Sequence, residues 1–542
     1  MANKTIKLML NAAEFPFTYE QATRATSPNE DAAPRIPRDF FGDKVNTDYG
    51  TPQLLYCENV LPFAKGLLSV GYTSKDNAIS PVTSACDQCI TLRDANENVF
   101  AFVPARGANY VYKAATNSWA SVDPFTFDRD LITYAYVNGR TFICYEGTKI
   151  IEYSAVGNTF TTLALTLPAS YTISDIRGIA GASNYLVLFT EFSILWCAPM
   201  NLMEFEDIDQ GAGEQTPIDI RGQITCVKPV AGGFIVYTAR NAIGATFTND
   251  AGSPFLFREI SNCGGVASGE SVTSDVSEVG HFIWGTNGLQ RVSLNSSIAD
   301  YPAVTDFLVG KQIERWNATT KRVEISDLAT HMKVKLAFLA GRYLTISYGE
   351  SGSEFEFAFI YDMSLDRWGK LRINHVDAFM YPYPSGTGAY TYDTWPGYYS
   401  ELQGDYATQG TLFLQVLPTK QGIAFLRSTG EMILLNADFS QTSADGVVLI
   451  GHIQQRHDAQ LTLTDVEIDG LHRAETTAVN AIGSYSGQDK DVTAVGRLNT
   501  RDSTENYSRY QFRSTAKNFD VAVEGTFVMS SILATVLRHG YR

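Results

Sequence analysis

Helical periodicity is nearly absent from this chain of 542 residues. Apolar residues rarely recur at the i, i+3, i+4, i+7 spacing that marks an amphipathic helix, so an all-helical architecture is excluded. No run of about 18 apolar residues occurs either, and no transmembrane helix or membrane insertion is expected. The opening MANKTIKLMLNAAEF lacks a proper hydrophobic region and a small-residue cleavage site, so export by a signal peptide is not expected.

Cysteine is scarce. Seven in the whole chain, an odd number without regular spacing, argue against a disulfide framework and for synthesis in a reducing cytoplasm. Cys86 and Cys89 form a CxxC, but with no βαβ context and no second ligand pair they read as two reduced thiols at a strand edge. The seven histidines are scattered; His452 and His457 fall five apart on an expected strand, on opposite faces and unsuited to one metal.

Basic charge is short as well. The 42 Lys and Arg against 58 Asp and Glu leave a net charge of −16. Affinity for nucleic acid comes from cations that displace phosphate counterions, so any DNA this chain meets slides past a non-sticky wall. Catalytic signatures are missing too: there is no GxSxG elbow, Walker loop, HExxH or sialidase-type turn. A carboxylate pair such as Asp465 and Glu467 is commoner as a solvated strand face than as a glycosidase dyad. No enzymatic activity and no cofactor are expected.

What the chain has is hairpins. VYKAATNSW, EYSAVGNTF and IYDMSLDRW each place a tyrosine (Tyr112, Tyr153, Tyr361) seven residues before a second aromatic (Trp119, Phe160, Trp368). An aromatic pair across a polar turn pins the register of two antiparallel strands. Short apolar strands restart near Val99, Thr141, Tyr185, Gly233, His281, Arg342 and Ile423, the first five at a nearly constant interval. A period of about 40 to 50 residues built from strands alone predicts an all-β fold, a β-propeller of six to eight blades. The wider gaps before Arg342 and before Ile423 imply insertions. The apolar run near Met332 to Ala340 fits a strand or a helix.

Composition divides the chain into three. Residues 1–50, rich in Pro, Asn, Asp and Thr, read as an extended N-terminal arm with little core of its own. The propeller is expected over 51–445. From 446 to 542 the strands lengthen, predicting a separate C-terminal β-sandwich.

Three stretches are candidate surfaces. Between Arg177 and Arg221 there is no base, while Glu204, Glu206, Asp207, Asp209, Glu214 and Asp219 crowd the segment; it reads as a solvated loop, a loosely spaced calcium loop, or an acidic lumen or subunit contact. Tyr381, Tyr383, Tyr390, Tyr392, Trp395, Tyr398 and Tyr399 fill a loop among Gly and Ser, the composition of a binding surface. Arg497, Arg501, Arg509, Arg513, Arg538 and Arg542 lie in a stretch of net charge +3 on a chain otherwise at −19. Opposite-signed surfaces on one polypeptide suit head-to-tail contact between copies in a ring.

Four segments carry a family resemblance: NVLPFAKGLLSVGY, NYLVLFTEFSILWCAPMNLMEF, FIYDMSLDRWGKL and RYQFRSTAKNFDVAVEGTFVMSSILATVLRHGYR. Together they resemble tail hub or nozzle proteins of short-tailed bacteriophages, the packaged-DNA stabilisation proteins. The resemblance implies a virion tail protein made in the host bacterial cytoplasm, six copies forming a homo-hexameric ring below the portal and head-to-tail adaptor. It also implies contact with a tail fibre or needle protein and transient passage of double-stranded DNA without specific binding. The alternative is a phage adhesin, a glycan-binding propeller that recognises the host surface through the tyrosine-rich loop.

Overall fold

A computed structural model describes residues 3–8, 53–63, 66–75, 88–93 and most of 99–538; outside it lie 9–52, 76–87, 123–131, 383–420, 437–445, the last four residues and several short turns. Within that range the chain is all-β, with a single α-helix at Pro302–Val309. Seven antiparallel sheets fan around a common axis. Blades 1 to 6 occupy 90–122, 132–162, 178–215, 224–259, 272–300 and 332–375, four strands each. Blade 7 combines Asp377–Pro382, Gln421–Leu426 and Met432–Asn436 with an outermost strand, Gly71–Lys75, from the other end of the chain.

The innermost strands of blades 2 to 7 touch in succession, and that of blade 7 reaches blade 1. Blades 1 and 2 join through an apolar cluster that includes Ile90, Val111, Ile143 and Tyr145. The circle is therefore closed. Every period marker falls at the second strand of a blade: Val99–Ala105, Arg140–Tyr145, Tyr185–Phe189, Gly233–Thr238, Gly280–Gly285, Tyr343–Glu350 and Gln421–Leu426.

Alternation explains the packing. The second strands are buried on both faces, as in Tyr185–Phe189 and Gly233–Thr238, because each blade lies between two others. Phe142, Leu186, Phe189, Phe234 and Val236 fill the space between blades 2, 3 and 4, each worth roughly 1.5–3 kcal/mol of burial. All three aromatic hairpins form as direct register partners: Tyr112 with Trp119, Tyr153 with Phe160 and Tyr361 with Trp368. The last two pairs bring their rings to 5.1 and 4.6 Å. The run near Met332 is a strand, Met332–Leu339.

The second unit is a sandwich. Gln53–Glu58, Gly446–Gln454, Asn518–Gly525, Ala478–Tyr485 and Gln488–Val495 make one sheet. The other contains Leu461–His472, Tyr507–Ala516, Arg497–Leu498 and Phe527–Arg538, and it does not stop at the domain border. The hairpin of Val60–Phe63 and Gly66–Ser69 pairs on one side with Lys370 of blade 6 and on the other with Val528 and Met529, so blade 6 and the sandwich share an unbroken sheet. Gly66 permits the approach, because a Cβ there would lie 1.7 Å from the Met529 carbonyl oxygen.

Two boundaries therefore move. Residues 53–69, expected in the propeller, belong to the sandwich and its junction, and Asn3–Leu8 of the expected arm pairs with 532–537. The strands of 53–69 are short and apolar like blade strands, Asn3–Leu8 is largely polar, and partners from the far end of the chain leave no trace in local spacing.

Candidate functional site

Two buried charge clusters hold this architecture at its joints. The first lies where the ring closes. Lys335, on the innermost strand of blade 6, places Nζ 2.9 Å from Glu270 Oε1 and 3.1 Å from Asp377 Oδ1, the latter on the innermost strand of blade 7. Asp377 Oδ2 accepts the backbone N–H of Cys89, at the head of blade 1, at 2.7 Å. Burial opposes the charge on Lys335, but the Asp377 and Glu270 carboxylates outweigh it and hold its pKa above the ordinary lysine value. Nearby, His375 is fully buried between Ile373 O (2.7 Å) and Ser347 Oγ (2.8 Å), and burial pushes its pKa down to about 4.

The second cluster lies under the junction of propeller, sandwich and the hairpin of Gln312–Asn317 and Arg322–Asp327. The Tyr56 hydroxyl donates to Glu58 Oε2 at 2.6 Å, and Arg372 approaches Glu58 Oε1 at 3.5 Å. Lys370, wholly buried, donates to the Glu314 carbonyl at 3.3 Å and lies 4.3 and 4.6 Å from the ring centres of Tyr56 and Phe357. Burial lowers its pKa, against the pull of Glu314 and Glu58. Arg315 donates to Glu356 at 2.6 Å on the open side of this cluster. Such groups fix orientation between elements; each is engaged by the fold itself.

The sequence-predicted surfaces separate. The acidic segment caps the outer rim of blade 3, with Glu204, Glu206, Asp207 and Asp209 between its third and fourth strands, Glu214 on the fourth and Asp219 beyond it, remote from the innermost strand and hence from the propeller's own bore. Its carboxylates serve the loop: Glu204 Oε1 accepts the backbone N–H groups of Glu206 and Asp207 at 2.9 and 3.0 Å, and Asp207 Oδ1 that of Asp209 at 3.0 Å. Glu206, Asp209, Glu214 and Asp219 are exposed. Among the described residues no group of three or more His, Cys, Asp or Glu is arranged to hold a metal ion.

Tyr381 is not a surface residue. It is the last residue but one of the innermost strand of blade 7 and has no exposure, because that strand is buried on both faces from Asp377 to Tyr381. Tyr383, Tyr390, Tyr392, Trp395, Tyr398 and Tyr399 lie outside the described residues, as do Cys86 and Arg542. Arg497, Arg501 and Arg513 are exposed at one edge of the sandwich. Arg509 is instead committed to its own sheet, 2.9 Å from Asp465 Oδ1. Arg538 ends the last strand. None of the six described cysteines is in a disulfide; burial pushes the thiols of Cys57, Cys144, Cys197 and Cys263 up to about 12 and that of Cys226 to about 11.

No family profile matches the chain, and no curated protein matches it. Among solved structures it is similar to the extracellular domain of a hybrid two-component system of B. thetaiotaomicron, at 10% identity over 75% of this chain and 44% of that one, TM-score 0.34. It is also similar to the extracellular domain of a one-component system of the same organism, at 8% identity over 86% and 60%, TM-score 0.40. A third is YCF48 bound to a D1 peptide, at 7% identity over 70% and 100%, TM-score 0.36. The chain thus spans less than two thirds of either B. thetaiotaomicron domain. At TM-scores this low the architecture rests on the sheet topology itself.

The sequence reading does not single out Glu58, Lys370, Lys335 or Asp377. A signal exists for Glu58 alone, a charged residue that closes an otherwise apolar run, LLYCE; the strands of Lys370 and Lys335 carry further charges, Arg367 and Arg372 in one and the exposed Lys333 in the other. Charge at such a position demands a partner.

Proposed function

We propose that this chain is a structural tail hub or nozzle subunit of a short-tailed bacteriophage, assembled in the host cytoplasm and resident in the virion tail. Copies form a ring, six by the family resemblance, below the portal and adaptor; the ring retains packaged DNA and continues the ejection channel. The observation that carries this reading is the unbroken sheet from blade 6 into the sandwich, with buried charge clusters locking the joints. A part that holds shape while a genome runs past needs units that do not swing. The net charge of −16 agrees, since a lumen of negative or neutral character repels phosphate.

Imaging purified chain mixed with portal-bearing particles tests the proposal. A ring with a central hole, seated on the portal, is expected. Binding to host polysaccharide on a glycan array, by a monomer that ignores the portal, would favour the adhesin instead.

A further inference from the structure

The outer rim of blade 3 exposes large apolar side chains to a degree that is unusual for a folded surface. Met200 is 96% exposed, Ile218 94% and Ile208 73%, and all three lie along the segment that connects and follows the two outer strands of that blade. Isolated apolar residues on a surface need no explanation, whereas several in one acidic segment have the composition of a contact. Exposed Glu206, Asp209 and Glu214 lie in that same segment. No basic residue interrupts the chain from 178 to 220.

The complementary surface is on the same polypeptide. Gln488–Val495 is the last strand of one sandwich sheet and Arg497–Leu498 the last of the other, so both sheets end on one side, each with a flank that pairs with no other strand among the described residues. An open flank of this kind invites a partner. Val495 is 69% exposed there; Arg497, on the last strand of the other sheet, and Arg513, on the strand it pairs with, are exposed too, as is Arg501 in the turn between them.

We propose that the blade 3 rim of one copy docks on this open sandwich edge of the next. The apolar side chains form the centre of the contact, and the carboxylates face the guanidinium groups. The two patches differ, so the contact is head-to-tail and propagates until rotation closes it. This inference rests on the ring reading above and adds which surfaces meet.

Charge exchange tests it. One full-length variant carries Glu206→Arg, Asp209→Arg and Glu214→Arg; a second carries Arg497→Glu, Arg501→Glu and Arg513→Glu. Sedimentation in low salt is expected to show each variant alone associating more than about tenfold more weakly than the parent. An equimolar mixture restores assembly, because each altered patch then meets its new complement, and this restoration also shows that both variants are folded. If the variants assemble as the parent does, or the mixture stays dissociated while both keep the parent's circular dichroism, the docking assignment is overturned and the ring survives. A parent that remains monomeric at every concentration and on portal particles overturns both.

Discussion

Lys335 Nζ lies 3.1 Å from Asp377 Oδ1, and the other oxygen of that carboxylate takes the backbone N–H of Cys89 at 2.7 Å. One side chain thus ties blade 6, blade 7 and blade 1 together at the place where the circle must shut. Strand pairing fastens blade 7 on its outer flank through Gly71–Lys75, and Asp377 fastens it on the inner one.

Replacing Asp377 by alanine leaves Lys335 with Glu270 alone and strips the Cys89 amide of its acceptor. A broken buried pair costs roughly 3–5 kcal/mol. Denaturant unfolding is expected to show a loss of that size, and hydrogen exchange to rise first in Ile90–Arg93 and Asp377–Pro382. Exchange that rises equally in all seven blades would contradict a local lock.

His375 makes the same region sensitive to acid. Its folded pKa of about 4 lies below the ordinary value of 6.5 because burial disfavours the cation more than the hydrogen bond to the Ile373 carbonyl favours it, with Lys335 adding repulsion and Glu354 a weaker attraction. Above pH 6.5 neither folded nor unfolded chain binds the proton. As pH falls from 6.5 towards 4 the unfolded chain binds it and the folded chain does not, so stability drops by up to roughly 3 kcal/mol and then levels off. His375→Gln is expected to flatten that part of the stability profile relative to the parent. Parallel profiles would show that His375 is not the group responsible.

Gly66 tests the shared sheet. A methyl group at this position meets the Met529 carbonyl at 1.7 Å, so Gly66→Ala forces the hairpin away from the C-terminal strand. A cost of about 1–3 kcal/mol follows from overpacking of this kind. Limited proteolysis is expected to release the sandwich from the propeller in the variant and not in the parent. Unchanged cleavage would mean the junction gives without harm.

Much of the fold is legible in the sequence because propeller blades are local. Tyr153 and Phe160 belong to one hairpin and pair directly, so spacing alone exposes it. The widened interval before Arg342 holds the helix Pro302–Val309 and the hairpin 312–327, while the one before Ile423 spans the stretch 383–420. The strands at 53–69 read as propeller because their true partners, Val448 and Met529 among them, are distant in the chain. Of the surfaces, Arg513 and Asp209 are exposed as charge implies, whereas Tyr381 lies in the core: composition reports the residue type and not the burial of the strand it falls on.

The origin of blade 7's outer strand sets a schedule for biosynthesis. Lys75 pairs with Met432, so the segment Gly71–Lys75 emerges early and must wait for most of the propeller to be made before its partner exists. At a synthesis rate of about 5–20 residues per second the wait is on the order of 20–70 s. By its end a ribosome-bound chain carries six complete blades and a strand still unclaimed, a window in which a nascent neighbour could take the place meant for its own last blade.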